Sequence, residues 1–254
     1  MNSGPLEWDA DTYDEVSDPQ FAWGMEVLER LDLRGDETVL DAGCGSGRVT
    51  AVLAKRLSSG RVVAVDGSEA MIEKARDRLG DAASYLVSDL SELKLEEPVD
   101  LVFSTATFHW ILDHDRLFGR LRTVLRPGGR LVAQCGGQGN VAEHATAIAT
   151  VAARPEFAPH FEGASGMWNF AAPDETEARL RAAGFVEVRC WLQPKPVTPV
   201  DPLRFTMTVT LGPHLARLPE ELRLPFAEAV LAESSKPVTL DYVRLNITSR
   251  VPTP

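Results

Sequence analysis

Basic charge is in short supply in this sequence. Its 254 residues carry 26 Lys and Arg against 37 Asp and Glu, a formal net charge of −11. Nucleic-acid affinity is drawn from clustered Lys and Arg, so an acidic body excludes nucleic acid and anionic membranes as expected partners. Cysteine is also scarce: Cys44, Cys135 and Cys190 are odd in number and far apart, and no disulfide framework is expected. The histidines show no His-x-x-x-His spacing and no cysteine pair accompanies them, which argues against a metal centre. No apolar run approaches the ~20 residues of a membrane span. The first residues, Met1 to Asp9, have neither the basic nor the apolar region of a secretory leader. These absences predict a soluble, cytoplasmic protein with no membrane partner.

What is present falls into three stretches. Residues 1–35 hold Glu7, Asp9, Asp11, Asp14, Glu15 and Asp18 before any Lys or Arg, together with Trp8, Tyr13, Phe21 and Trp23. Disordered tails are poor in aromatics, so this stretch reads as a lid and leading helix that dock on the body. In residues 36–136 short apolar runs alternate with helical periodicity. Strands are expected at Thr38–Asp41, Arg61–Asp66, Tyr85–Val87, Asp100–Thr105 and Arg130–Cys135. Val49, Val52, Leu53 and Leu57 mark one helical face; Met71, Ile72, Ala75 and Leu79 mark another behind an N-cap at Ser68. A third helix carries Leu117, Leu121, Val124 and Leu125 after a cap at Asp113 or Asp115. Strands alternating with helices imply an α/β fold with a doubly wound, mostly parallel sheet. Residues 137–254 are expected to supply a sixth strand at Val186–Leu192, a terminal strand at Asp241–Ser249 and helical cap insertions, the stretch from Pro194 to Pro237 holding a helix at Glu220–Glu233 in a β-rich neighbourhood.

The stretch Val39-Leu-Asp-Ala-Gly-Cys-Gly-Ser-Gly47 joins a strand to a helix. Glycines at alternate positions let the backbone turn sharply and approach a ligand with no Cβ in the way. The following helix directs N–H groups at that ligand, which suits a carboxylate. Asp66, at the end of the second strand, is placed to accept both hydroxyl hydrogens of a ribose. A dinucleotide loop wants a sixth-position glycine where Arg48 stands, and a phosphate loop wants Gly-Lys-Ser/Thr, which is absent. Asp41 would repel phosphate and attract an ammonium or sulfonium. A ligand with an amino-acid end, a ribose and a positive charge satisfies all three features.

Leu40-Asp-Ala-Gly-Cys-Gly-Ser-Gly, Val63-Ala-Val-Asp-Gly-Ser, Ser88-Asp-Leu90 and Leu125-Arg-Pro-Gly-Gly-Arg-Leu131, in this order and spacing, resemble the motifs of the class I S-adenosylmethionine (SAM)-dependent methyltransferases. The resemblance implies a Rossmann-like, seven-stranded sheet with SAM as cofactor and S-adenosylhomocysteine as product. It places Asp41, Gly43 and Gly45 at the methionine end of SAM, Asp66 at the ribose and Asp89 at the adenine amino group, although Asp89 also suits a helix N-cap. Met71 and Leu90 would flank the adenine ring, Met71 being equally suited to helix core, and Gly67 and Thr105 complete the cofactor set.

The second ligand of an open α/β sheet sits at the carboxyl ends of the strands. There the chain reads Thr105-Ala-Thr-Phe-His-Trp110, then Ile-Leu-Asp-His114. The Asp/Asn-Pro-Pro-aromatic motif of amino-methylating nucleic-acid enzymes is absent. The layout resembles the branch holding trans-aconitate methyltransferases and related small-molecule O-methyltransferases. A carboxylate acceptor is already ionised and needs no base; a hydroxyl acceptor would need one, and His109 is the first candidate. His109 would otherwise bind the acceptor or close the pocket. Tyr13, Trp23 and Trp110 are expected beside the acceptor. In the cap, Phe161, Met167, Trp168, Phe170, Phe205 and Met207 suit an apolar acceptor, whereas Arg204, Arg217, Arg223 and Arg244 suit an acidic one. The expected activity is methyl transfer to a small molecule, at a carboxylate or hydroxyl oxygen, by a monomer or homodimer. N- or C-methylation and a non-catalytic SAM sensor are the alternatives.

Overall fold

Thr38–Ala42 is short, apolar and almost wholly buried, and it forms the strand (β1) from which the sheet extends both ways. The structure is a computed structural model describing residues 17–163 and 166–254; Trp8 and Tyr13 lie outside the described residues. Strands β2 (Arg61–Asp66), β3 (Ala83–Val87), β4 (Val99–Thr105), β5 (Leu125–Gly136), β6 (Val186–Pro194) and β7 (Val243–Arg250) complete one seven-stranded sheet in the order β3-β2-β1-β4-β5-β7-β6. β1 to β5 pair in parallel, and β7 enters antiparallel between β5 and β6. The expected doubly wound, mostly parallel sheet is the observed one.

Side chains alternate across a strand, and this sorts β1 between two cores. Val39 faces helices α1 (Asp18–Leu28) and α2 (Arg48–Lys55), packing with Val27, Leu28, Leu53 and Leu57. Leu40 and Ala42 face the other way, into a core shared with Leu117, Phe118 and Leu121 of α4 (His114–Val124). Helix α3 (Glu69–Leu79) covers the β2 side through Ile72 and Ala75. Both expected caps form: Ser68 Oγ accepts from Met71 N at 3.3 Å, and Asp113 Oδ1 accepts from Arg116 N at 2.9 Å.

Beyond β5 come α5 (Ala142–Ala152) and α6 (Pro173–Ala182); α7 (Glu220–Glu233) lies between β6 and β7. α5 and α7 share a core of their own, with Ile148 and Val151 against Phe226 and Val230. The expected β-rich character of residues 194–237 reduces to one bridge, Val197 with Leu240. Pro202–Phe205, the π-helical turn Thr206–Thr210 and Gly212–Leu215 make this segment helical. A second seam of Trp23, Val141, Phe205, Val209, Leu240 and Tyr242 seats the cap on α1 and the start of β7. Among the described residues no helix is long and apolar enough to cross a membrane.

Candidate cofactor and acceptor site

The loop after β1 is tied to the end of β2. Gly43 N and Cys44 N donate to Val65 O at 2.8 and 3.0 Å. Asp66 Oδ2 accepts from Gly45 N at 2.9 Å and Oδ1 from Ser68 N at 3.0 Å. Ser88 N donates to Asp66 O at 2.9 Å, which brings Asp89 to the same corner. Gly43 has φ +86°, and a Cβ there would lie 2.1 Å from Thr107 Oγ1; this position takes only glycine. Gly45 has φ +54°, but a Cβ there would meet nothing within 4 Å, so the loop opens a bare backbone cradle at that point.

Two carboxylates flank the cradle. Asp66 is half-buried, and its two oxygens hold the Gly45 and Ser68 N–H groups at the mouth of the cradle. Asp41 is buried and accepts from Thr50 Oγ1 at 2.7 Å. Burial first, and then the nearby Asp66 charge, push its carboxyl up to about 7, while the Thr50 hydroxyl acts the other way.

The remaining cofactor expectations separate. Thr105 ends β4, where its carbonyl accepts from Thr107 Oγ1 at 3.0 Å, and the same hydroxyl reaches Gly43 O at 3.2 Å. Gly67 sits in the turn between β2 and α3. Asp89 is exposed and closes a local turn, its Oδ1 accepting from Ser91 N at 2.7 Å. Leu90 packs in the core with Val65 and Phe108, and Met71 is buried in the first turn of α3. Both side chains offer little surface to an adenine ring.

Next to the loop, over the carboxyl ends of β4 and β5, a narrow cavity of about 30 Å³ with an open mouth is lined by Ala106, His109, Trp110, Trp168, Phe170 and Arg244, among others. By volume it holds about two water molecules. An antiparallel strand begins where its parallel neighbours end, so β7 delivers Arg244 to this edge, opposite Gly136 of β5. Arg244 is only 2% exposed, its guanidinium 4.8 Å from the Trp23 ring centre and 6.0 Å from that of Tyr242. Trp23 therefore supports Arg244 from behind, while His109 and Trp110 line the cavity directly. Of the cap residues named from sequence, Trp168 and Phe170 reach it; Phe161, Phe205 and Met207 pack in the cap cores, and Arg204, Arg217 and Arg223 are exposed. Gln20, Asn140 and Tyr242 also line it, and nothing in their sequence surroundings singled them out. Val209 and Thr210 come from the π-helical turn, a distortion that gathers at functional sites.

His109 is 7% exposed, and its Nδ1 accepts the Gly136 N–H at 3.3 Å. A neutral imidazole with Nδ1 accepting carries its proton on Nε2. Burial, and then the Arg244 charge, hold its pKa well below the usual histidine range. His109 is therefore set as a neutral donor, and the lone pair a general base would use is taken by the backbone.

A model described as a methyltransferase domain matches residues 40–133. The chain is 31% identical over 208 residues to a trans-aconitate 2-methyltransferase of Methylobacterium nodulans, covering 82% of this chain and 75% of that protein. It belongs to the class I SAM-dependent methyltransferases. A second relative of the same name, from Variovorax paradoxus, is 36% identical over 129 residues, where the match spans half the length of that protein. Among solved structures, Haemonchus contortus phosphoethanolamine N-methyltransferase 2, bound to phosphomonomethylethanolamine and S-adenosylhomocysteine, superposes with a TM-score of 0.62 at 19% identity, over 96% of this chain and 57% of that one. A cyclase, SpnF, superposes with a TM-score of 0.61 at 17% identity, over all of this chain and 89% of that one. One fold thus carries different chemistries, and the acceptor must be argued from the site.

SAM is the cofactor of this methyltransferase family, and the loop fits it. The bare Gly45 cradle admits a ligand against the backbone, and the flanking Asp41 and Asp66 carboxylates suit a cationic ligand bearing hydroxyls. Asp66→Ala is expected to weaken SAM binding by about 10- to 150-fold, the worth of charged hydrogen bonds at about 1.5–3 kcal/mol. Equilibrium titration of SAM checks this, with ligand-free melting followed in parallel because Asp66 also holds the loop. Unchanged affinity would remove the ribose assignment.

Proposed function

We propose that this methyltransferase methylates a carboxylate oxygen of a small-molecule acid. The observation that carries the reading is a guanidinium, Arg244, buried in the acceptor cavity beside a neutral His109. A buried cation recognises an anion, and charge-assisted hydrogen bonds to a carboxylate are the strong ones. When bound, SAM supplies a methyl group already activated by its sulfonium, the electron pair of the broken C–S bond staying on sulfur.

The chain's own work is then alignment and exclusion of water, which can supply most of the acceleration. Arg244 orients the acceptor carboxylate, His109 donates from Nε2 to one of its oxygens, and the other oxygen keeps the lone pair that forms the new O–C bond. No proton is released, so no base is required. The aromatic lining from Trp110, Trp168 and Phe170 would exclude water once the acceptor fills the cavity. The curated relatives are named for trans-aconitate, itself a carboxylic acid, and that name supports the acceptor class.

The test uses methyl-labelled SAM with a panel of carboxylic acids, alcohols and amines. Methyl esters release labelled methanol under mild alkali, whereas ethers and N-methyl groups do not. Base-labile label on acids is the expected result; label in base-stable products alone would overturn the reading. At saturating SAM, which removes the contribution of Asp41 titrating near pH 7, the rate on an acid should stay flat between pH 6 and 8, because His109 and the acceptor keep their charge states across that window. A titration limb inside it would show that His109 is not the neutral donor described.

A further inference from the structure

Asn140, in the turn between β5 and α5, is 3% exposed and lines the acceptor cavity. Its Oδ1 accepts the Val243 N–H at 3.0 Å. A backbone N–H needs an acceptor, so this bond fixes which end of the amide is oxygen. The other end, Nδ2, carries two N–H donors, and no hydrogen bond to a described residue takes them up. A buried donor without a partner is costly to keep, and a fold that keeps one asks for a ligand.

Gly136 brings this amide beside His109. Its N–H meets His109 Nδ1 at 3.3 Å. A Cβ on Gly136 would lie 2.9 Å from Asn140 Nδ2 and 2.7 Å from the Phe170 ring. Imidazole, amide and aromatic ring therefore converge on one residue that has no side chain. The turn itself is firmly held: Asn140 N donates to Gly137 O at 2.9 Å, and Val141 N donates to Asp241 O at 3.1 Å. Val141 has φ +47°, an outlier for a β-branched residue, and Ala106, which also lines the cavity, has φ +57°. Backbone held in this region collects at ligand clamps.

We propose, resting on the carboxylate reading above, that Asn140 is an acceptor-binding residue, its Nδ2–H donating to the carboxylate oxygen that is not methylated. His109 Nε2–H holds the same oxygen, and the new O–C bond forms from a lone pair of the other. Forming that bond cancels the carboxylate charge, so a charge-assisted hydrogen bond becomes a weaker, neutral one. Asn140 therefore holds the acid more tightly than the transition state or the ester product. Its loss should raise KM and leave kcat unchanged or slightly higher. An acceptor with no oxygen at this point leaves the amide unpaired, which is how a polar pocket rejects an analogue.

Two variants separate the donor from the turn. Asn140→Asp keeps an oxygen for the Val243 N–H and loses the donor; Asn140→Ala loses both and adds no charge. The full chain, saturated with S-adenosylhomocysteine, is titrated at pH 8 with acetate and with trans-aconitate by calorimetry, and labelled SAM then reads KM and kcat for each acid. Asn140→Ala is expected to weaken acid binding at least about tenfold, the worth of a hydrogen bond to a charged group. Asn140→Asp should weaken it at least about a hundredfold, because the added charge also repels the acid. Both should keep S-adenosylhomocysteine affinity within about twofold, since the cofactor loop is separate. Parent-like acid binding in Asn140→Asp would show that the residue only braces the turn, and would overturn the proposal while the carboxylate reading stands. Loss in Asn140→Asp with parent-like binding in Asn140→Ala would overturn it too, since the added charge alone would then explain the loss. A fall in kcat with KM unchanged would overturn the placement on the held oxygen. Binding of neither acid by the parent would overturn the carboxylate reading, and the proposal with it.

Discussion

Replacing Arg244 with methionine is expected to lower kcat/KM for a carboxylate acceptor by about two to three orders of magnitude while SAM affinity stays within about twofold. The loss follows from removing one partner of a buried charged pair, worth about 2–5 kcal/mol. It should fall mainly on KM, because the guanidinium holds the acceptor before and during transfer alike. The variant should fold: methionine approximates the volume, and replacing a buried charge with an apolar group is often neutral or stabilising. Arg244→Lys keeps the charge but loses the planar fork that pairs with a carboxylate, so it should recover only part of the rate. Steady-state kinetics on the best acid, with SAM titration alongside, checks all three statements. An unchanged kcat/KM in Arg244→Met would place the acceptor's carboxylate elsewhere.

The route by which Arg244 reaches the site explains what the sequence could and could not disclose. Period-two alternation from Asp241 to Ser249 identifies the last strand, and it forms as Val243–Arg250. Alternation carries no information about direction or neighbours. Only the antiparallel insertion of β7 between β5 and β6 puts its first residues at the carboxyl edge of the sheet. Four scattered arginines therefore look alike in sequence, and long-range pairing decides that Arg244 is buried while Arg204, Arg217 and Arg223 stay in solvent.

The glycine loop was far more legible, because its constraint is local. Positive φ at Gly43, Gly45 and Gly47 and the capping hydroxyl of Ser68 are demands of a few consecutive residues. The start of β5 was less so. It begins at Leu125, directly after α4, with Val99 pairing Leu125 and Leu101 pairing Arg130, so Pro127-Gly-Gly lies in a register shift within the strand. His109 was found from its position beside two aromatics, but its role depends on which ring nitrogen meets a backbone N–H 27 residues away, at Gly136. No local pattern encodes that contact.

Asp41 gives the second large effect, and its sign is opposite to that of an ordinary surface carboxylate. Burial chiefly pushes its folded pKa up to about 7, from the ordinary aspartate value of 3.8. Between those values the folded chain holds a proton that the unfolded chain has released. Stability from this group is therefore fully present below about pH 4 and is lost as pH rises through 7, at about 1.4 kcal/mol per unit and about 4 kcal/mol in all. Asp41→Asn cannot ionise, so at pH 8 the ligand-free variant should melt higher than the parent by roughly 8–15 °C, with the difference closing towards pH 4. The same substitution removes a negative charge from beside the cradle and should weaken SAM binding. A bound cation lowers the cost of ionising Asp41, so SAM should raise the parent's melting temperature more at pH 8 than at pH 5.5. Differential scanning calorimetry of both chains, with and without SAM, reads all of these effects. Equal melting of parent and variant at pH 8 would show that Asp41 ionises there without cost. Higher melting of Asp41→Asn together with weaker SAM binding would mark the carboxylate as a charge kept in the fold for a cationic ligand.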